Sequence, residues 1–238
     1  MQSLKNDRHV LTVITPTIGR DILDRQIESL DKQTIAGQIF HLIMWDEKRI
    51  EGSKDPESYN GPNRYSIMLP WGLGRYKGAP GSSLRAVALM AANTTWVTFA
   101  DDDVVWKPNH AETMLKAANG YHWVASLREI YAPGSGGRFE EQGRGECLGI
   151  DRFESVGDSP ERKTPYEMID NNCMVFNRLL GVHAAHLYRL IEGPGDDRHF
   201  YTYMKQHAGP LARTNQATIE HTCPDHLVEF FRQNCSKE

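Results

Sequence analysis

Val10-Leu11-Thr12-Val13-Ile14-Thr15 is a short apolar, β-branched run that stops at Pro16. Such a run reads as a buried strand ending at a turn. From Asp21 to Gln33, Ile22, Leu23, Ile27 and Leu30 recur at helical spacing with charges between them. A second apolar run, Ile39 to Trp45, then ends in Asp46-Glu47. Strand, helix and strand in quick succession form a βαβ unit. Its crossover returns the chain to the starting end of the first strand, so the two strands must be parallel. This unit constrains the fold more than any other feature of the chain.

The remaining length suits one α/β domain built around that unit, because such folds run to about 250 residues and this chain has 238. With 39% hydrophobic and 24% charged residues, disorder, collagen and coiled coil are excluded. The formal charge of −4 supplies no bulk positive field, so nucleic acid is not an expected partner. Cys147, Cys173, Cys223 and Cys235 contain no CxxC pair and read as reduced thiols. The first eight residues hold no apolar signal core, and no run approaches the ~18–20 apolar residues of a membrane span. The expected location is cytoplasmic, with a peripheral role in a membrane-associated pathway left open.

Residues 47–80 are dense in Gly and Pro, and little regular structure is expected there. Ser82 or Ser83 could cap a helix running to about Ala92. Trp96-Val97-Thr98-Phe99-Ala100 reads as a buried strand, and Asn109 with Glu112 resembles a capping box opening a helix to about Asn119. Trp123 to Tyr131 can form another strand. Residues 133–145 are a Gly-rich loop, either a lid or a connector. Helical patterns return over Leu179–Ile191 and Asp197–His207, a last strand is expected at Ala217–Ile219, and an amphipathic tail helix from Asp225.

The strand at 96–100 runs straight into Asp101-Asp102-Asp103. Carboxylates at a strand's C-terminal end face the crevice where open α/β sheets bind ligands. Three adjacent carboxylates repel one another unless they are solvated or neutralised by a cation. A hard divalent ion shared with a diphosphate would neutralise them; a solvated acidic turn is the plain alternative. A calcium loop does not fit, because Val105 and Trp106 stand where an oxygen ligand and the turn glycine are needed. Trp71, Trp106 and Trp123 offer flat faces that could stack on sugar rings, with core packing the expected fate of Trp123. Gly72 to Gly78 is too irregular for a dinucleotide fingerprint and reads as a loop.

Taken in order, Thr15-Pro16-Thr17, Asp46, Arg85 and Asp101-Asp102-Asp103 resemble a family 2 glycosyltransferase with the GT-A fold. The resemblance is strong over residues 10–115 and traceable to about 221. It implies a single Rossmann-like α/β domain with a mostly parallel central sheet. Its nucleotide-sugar half would span about 10–115, its acceptor half about 116–221, and a C-terminal helix 222–238. By the same resemblance Thr15, Pro16 and Thr17 line the nucleoside pocket, Asp46 contacts the base, and Arg85 lies near base and diphosphate. Asp101 approaches the ribose and the metal, Asp103 binds the metal, and His221 after the last strand is a third metal ligand. Asp102 joins the donor-binding set with its role open. Arg20 matches a basic residue often found after the first strand, and Ala86 replaces the family's Asn.

Asp196-Asp197 matches the family's acidic pair, whose second member is the general base; a helix cap at Asp196 is the competing reading. The implied reaction is inverting transfer from a nucleotide diphosphate sugar, a UDP-sugar first, to a glycan or other hydroxyl, with Mn²⁺ or Mg²⁺. Two alternatives stand. A nucleotidyltransferase acting on a sugar phosphate would need a longer, Gly-rich loop than Pro16 to Arg20. A non-catalytic nucleotide-sugar or glycan-binding module would bind donor without turnover.

Overall fold

The βαβ unit forms where the hydrophobic pattern puts it. A computed structural model describes residues 9–47, 49–69, 75–76, 79–131, 146–147, 151–154, 165–188 and 196–222. In it β1 (Leu11–Thr17) pairs in parallel with β2 (Ile39–Asp46), Leu11 lying opposite Ile39 and Thr17 opposite Trp45. Between them runs α1 (Leu23–Asp31). The strand extends past Pro16 because proline on β1 needs no N–H for that register, and all seven residues are buried.

Residues 47–80 are more ordered than their Gly and Pro content suggests. A 3-10 turn spans Pro56–Tyr59, with Asp55 accepting from the Glu57 N–H. A third parallel strand, β3 (Arg64–Leu69), pairs with β2. This strand lies at the sheet edge and is at best half-buried, so it needs no continuous apolar run and gives none to the eye. The two-residue strands β4 (Arg75–Tyr76) and β5 (Ala79–Pro80) pair with each other. Trp71 and most of the Gly72–Gly78 loop lie outside the described residues.

Next come α2 (Ser82–Ala91), β6 (Trp96–Phe99), β7 (Val104–Trp106), α3 (His110–Ala117) and β8 (Trp123–Tyr131). Neither serine caps α2; its N-cap is Gly81. Asn109 makes no side-chain cap either, and Glu112 pairs with Lys116 and accepts from the Thr34 hydroxyl instead. The chain continues through β9 (Glu146–Cys147), β10 (Asp151–Glu154), β11 (Pro165–Met168) and β12 (Met174–Asn177). It then forms α4 (Arg178–Ala184), a 3-10 turn Ala185–Tyr188, α5 (Asp196–His207) and β13 (Ala212–Thr222). The 133–145 loop and the tail helix from Asp225 lie outside the described residues. Among those residues, no helix is long and apolar enough to cross a membrane.

The main sheet has the order β3-β2-β1-β6-β12-β8-β13-β7, with β9 paired to β8. The first four strands are mutually parallel. β12 runs against both β6 and β8, so β8 and its parallel neighbour β13 regain the first direction, and β7 runs against β13. The sheet is therefore mostly parallel. Alternation along β2 shows two covered faces: Ile43 and Trp45 pack with Leu23 and Ile27 of α1, whereas Leu42 and Met44 belong to the larger core. In that larger core Phe99, Phe176, Tyr188 and Phe200 form an aromatic cluster, with Phe176 and Phe200 centroids 4.9 Å apart. Trp123 and Trp106 are both buried, so neither presents a face to a sugar. Cys173 is buried.

Two histidines are sealed in neutral form. Arg64 Nε lies 3.2 Å from His41 Nδ1, and a guanidinium can only donate, so the ring proton sits on Nε2, 2.9 Å from the Thr15 hydroxyl. Burial pushes His41 well below its usual value, and it pushes His110, which lies tilted against Trp106, down to about 3. The unfolded chain therefore binds a proton at each site below pH 6.5 that the folded chain refuses, so stability falls as pH falls. Between pH 6.5 and 4.5, His110 alone should cost about 2.3 kcal/mol, the slope approaching about 1.4 kcal/mol per unit at the acid end. Urea midpoints measured across that range should flatten in His110→Asn; an unchanged slope would refute the assignment.

Candidate functional site

The parallel strands β1, β2 and β6 all end at the same edge of the sheet, and a cleft of about 410 Å³ opens there. Pro16 and Thr17 come from the end of β1, Asp46 from the end of β2, and Asp101, Asp102 and Asp103 from the turn after β6. Gly81, Leu84 and Arg85 at the start of α2, with Ile18 and Arg20 after β1, complete the lining. The cleft thus gathers nearly all the residues assigned to donor binding. Thr15 is the exception. Its side chain is buried, and its hydroxyl donates to the Ala100 carbonyl at 2.7 Å while Gln26 Nε2 donates to it.

Arg85 is buried and ion-paired to Asp101, with its guanidinium 5.8 Å above the Phe99 ring. The approach depends on Gly81. That residue has φ +83°, and an added Cβ would stand 3.0 Å from Pro16 Cβ and 3.3 Å from Arg85 Nη1. Gly81→Ala should lose about 1–2 kcal/mol from the left-handed backbone alone, seen as a lower urea midpoint; an unchanged midpoint would show that α2 shifts freely.

Asp102 is 2% exposed, and both of its oxygens are engaged. Thr17 Oγ1 donates to Oδ2 at 2.6 Å; Arg20 donates to Oδ1 through Nε at 2.9 Å and through Nη2. The same Nη2 reaches Asp103 Oδ2 at 2.9 Å. Burial pushes the Asp102 carboxyl up, against the opposing pull of Arg20 and Thr17. Burial works to lower the Arg20 guanidinium, yet Asp102 and Asp103 together hold it above its usual value.

Asp103 Oδ1 is buried and accepts no hydrogen bond among the described residues, while His221 Nε2 stands 3.6 Å away. Behind His221, Arg128 Nη1 lies 3.2 Å from Nδ1 and turns the other ring nitrogen toward Asp103. Arg128 is 1% exposed in its side chain and ion-paired with Asp170, whose carboxyl stays well below the usual range despite burial because of that guanidinium, the nearby His221 and the bonds from Asn172. Asn172 Nδ2 bridges Asp170 Oδ1 at 2.8 Å and Asp101 Oδ2 at 3.1 Å, and its Oδ1 accepts from the Asp101 N–H at 2.7 Å. The adjacent Asn171 donates through Nδ2 to Asp197 Oδ1.

A chain of polar contacts therefore links the acidic triplet to His221 on one side and to Asp197 on the other. Asp196 is the first residue of α5. Each Asp101 oxygen already accepts one hydrogen bond, from Arg85 and from Asn172. Among the described residues no group of three His, Cys, Asp or Glu is arranged to hold a metal. Asp103 and His221 would supply two donors at most, and a cation there would need others from its ligand or water. Arg128, Asp170, Asn171 and Asn172 escaped the motif reading. A charged residue inside the apolar 123–131 run, and a polar triplet just before Met174, were the signals available.

No protein-family model matches the chain, and no curated protein does. Solved structures do match. S. aureus TarS 1–349 has a TM-score of 0.62 at 17% identity, over 94% of this chain and 64% of its own. The same fragment in complex with UDP gives 0.58 at 16% identity, over 90% and 60%; in complex with UDP-GlcNAc it gives 0.56 at 15% identity, over 91% and 59%. The chain thus spans a little under two thirds of those chains. The chain shares the mixed α/β fold of TarS.

Proposed function

We propose that the chain is a glycosyltransferase of the family 2 type, moving a sugar from a nucleotide diphosphate sugar, a UDP-sugar first, to an acceptor hydroxyl with inversion. The observation that carries this reading is the convergence of Asp46, Arg85, Asp101 and Asp103 on one cleft, with Asp197 tied to the same edge through Asn171. That similar folds have been crystallised with UDP and UDP-GlcNAc supports the choice of donor.

In this reading Asp197 takes the proton of the acceptor hydroxyl as its oxygen bonds to the anomeric carbon. The bond from that carbon to the diphosphate oxygen breaks, and the nucleoside diphosphate leaves with the electron pair. Arg85 faces the side where negative charge grows. Asp103 would hold Mn²⁺ or Mg²⁺ through its unpartnered Oδ1, and His221 Nε2 would join it only with Arg128 turned away from Nδ1, since a ring that accepts at Nδ1 keeps its proton on Nε2. When bound there, the ion supplies charge neutralisation to the diphosphate. The role leaves Asp101 with Arg85 and Asn172, positioned toward the ribose.

A thermal-shift screen of UDP and UDP-GlcNAc with and without Mn²⁺ tests the donor class. A donor at 100 times its dissociation constant should add about 2.7 kcal/mol to the folded state. No shift with any nucleotide or nucleotide sugar would sink the proposal. Binding without product would favour the non-catalytic module.

A further inference from the structure

We propose that Asp102 is an anchor for Arg20, and that Arg20, so held, is the chain's own contact to the donor diphosphate; this rests on the donor reading above. The middle carboxylate of the triplet is closed to other duties. Thr17 Oγ1 occupies Oδ2, and Arg20 occupies Oδ1 through two nitrogens. Thr17 is itself fixed, since its hydroxyl accepts from the Gly19 N–H at 2.9 Å. Asp102 reaches the cleft wall only 2% exposed and with both oxygens engaged, so its charge is spent on Thr17 and Arg20.

What it does hold is open to the cleft. Arg20 lines that cleft beside Asp103 and Arg85, and its side chain is 42% exposed. Its Nε and Nη2 are turned to the carboxylates, whereas Nη1 makes no hydrogen bond among the described residues. A guanidinium gripped along one edge presents its remaining N–H groups in a fixed direction. That planar fork matches phosphate oxygens, and because its orientation is set beforehand, little freedom is lost on binding. An unanchored arginine on this exposed loop would carry the same charge without the direction. Asp102 is thus a positioning residue that acts through Arg20.

The test is calorimetric titration of the full chain with UDP and with uridine, alongside urea midpoints. Arg20→Ala should weaken UDP by about tenfold or more while leaving uridine unchanged, because only the diphosphate meets the guanidinium. Arg20→Lys should recover part of the loss, keeping charge but not the fork. Asp102→Asn should weaken UDP in the wild-type background and add nothing in the Arg20→Ala background. Should Asp102→Asn fail to fold, Asp102→Glu keeps the charge but shifts the oxygens, and should give a smaller loss, again confined to UDP. The proposal is overturned if Arg20→Ala binds UDP as tightly as wild type. It is also overturned if Asp102→Asn, or Asp102→Glu in its place, weakens UDP equally with and without Arg20. A wild-type chain that binds uridine but no UDP, or neither, refutes the donor reading itself.

Discussion

Asp197→Asn should lower turnover by about 10²–10⁴-fold, the usual contribution of a general base, while donor affinity stays at the wild-type value. The substitution is a clean one here. Asn171 donates to Asp197 Oδ1 through Nδ2, and an asparagine in that place keeps an oxygen to accept the bond. The neighbouring Asn172 bridge to Asp101 and Asp170 is untouched, so the donor side of the site should not relax. Initial rates of product formation, with donor binding measured separately, decide the matter. A variant that transfers sugar at the normal rate removes Asp197 from the chemistry and leaves Asp196 or a bound water as the base to be sought.

Arg128→Met should be the most damaging single change away from the cleft. The Asp170 side chain is 15% exposed and Arg128's 1%, so the pair is desolvated on both sides. Removing one partner of a buried pair costs about 3–5 kcal/mol, because a charge is left without compensation. For a chain of this size that corresponds to roughly 10 °C in melting temperature. The pH signature separates this cause from lost packing. In the wild type the Asp170 carboxyl lies below its ordinary value, so it contributes stability above that value and loses it on further acidification. Without the guanidinium, burial pushes it above the ordinary value, and the folded state then binds the proton more tightly than the unfolded chain. The variant's deficit should therefore be greatest at neutral pH and shrink as pH falls. A deficit independent of pH would point to packing alone.

The parts of this molecule that could be read from the sequence are those whose signal is local. β1, α1, β2, β6 and β8 announce themselves by period and by apolar runs, because both faces of those strands are covered. The acidic triplet could be placed because it directly follows such a run. β3, β7 and β12 were missed because they are short or half-buried, and β7 and β12 also depend on a partner strand far along the chain. The same holds for the site. Asp101 and Arg85 are 16 residues apart and carry a family pattern, whereas Arg128 meets Asp170 42 residues later and His221 93 residues later. Asp102 and Arg20 lay between the two cases. Both were noticed, and only the folded geometry joined them.

The reversal of β12 decides when the site can exist. A strand that runs against β6 begins where β6 ends, which brings Asp170, Asn171 and Asn172 to the edge already occupied by Asp101. As the chain leaves the ribosome, β1, β2, β6 and α2 can assemble the walls of the cleft well before those residues emerge. Until then the Asp101 N–H lacks the Asn172 oxygen that receives it, and Asp197 and His221 are still to come. The half that builds the cleft walls is thus early and local, and the half that brings Asp170, Asn172, Asp197 and His221 is late and distant. A folding intermediate holding the first half alone would carry an acidic pocket that still lacks them.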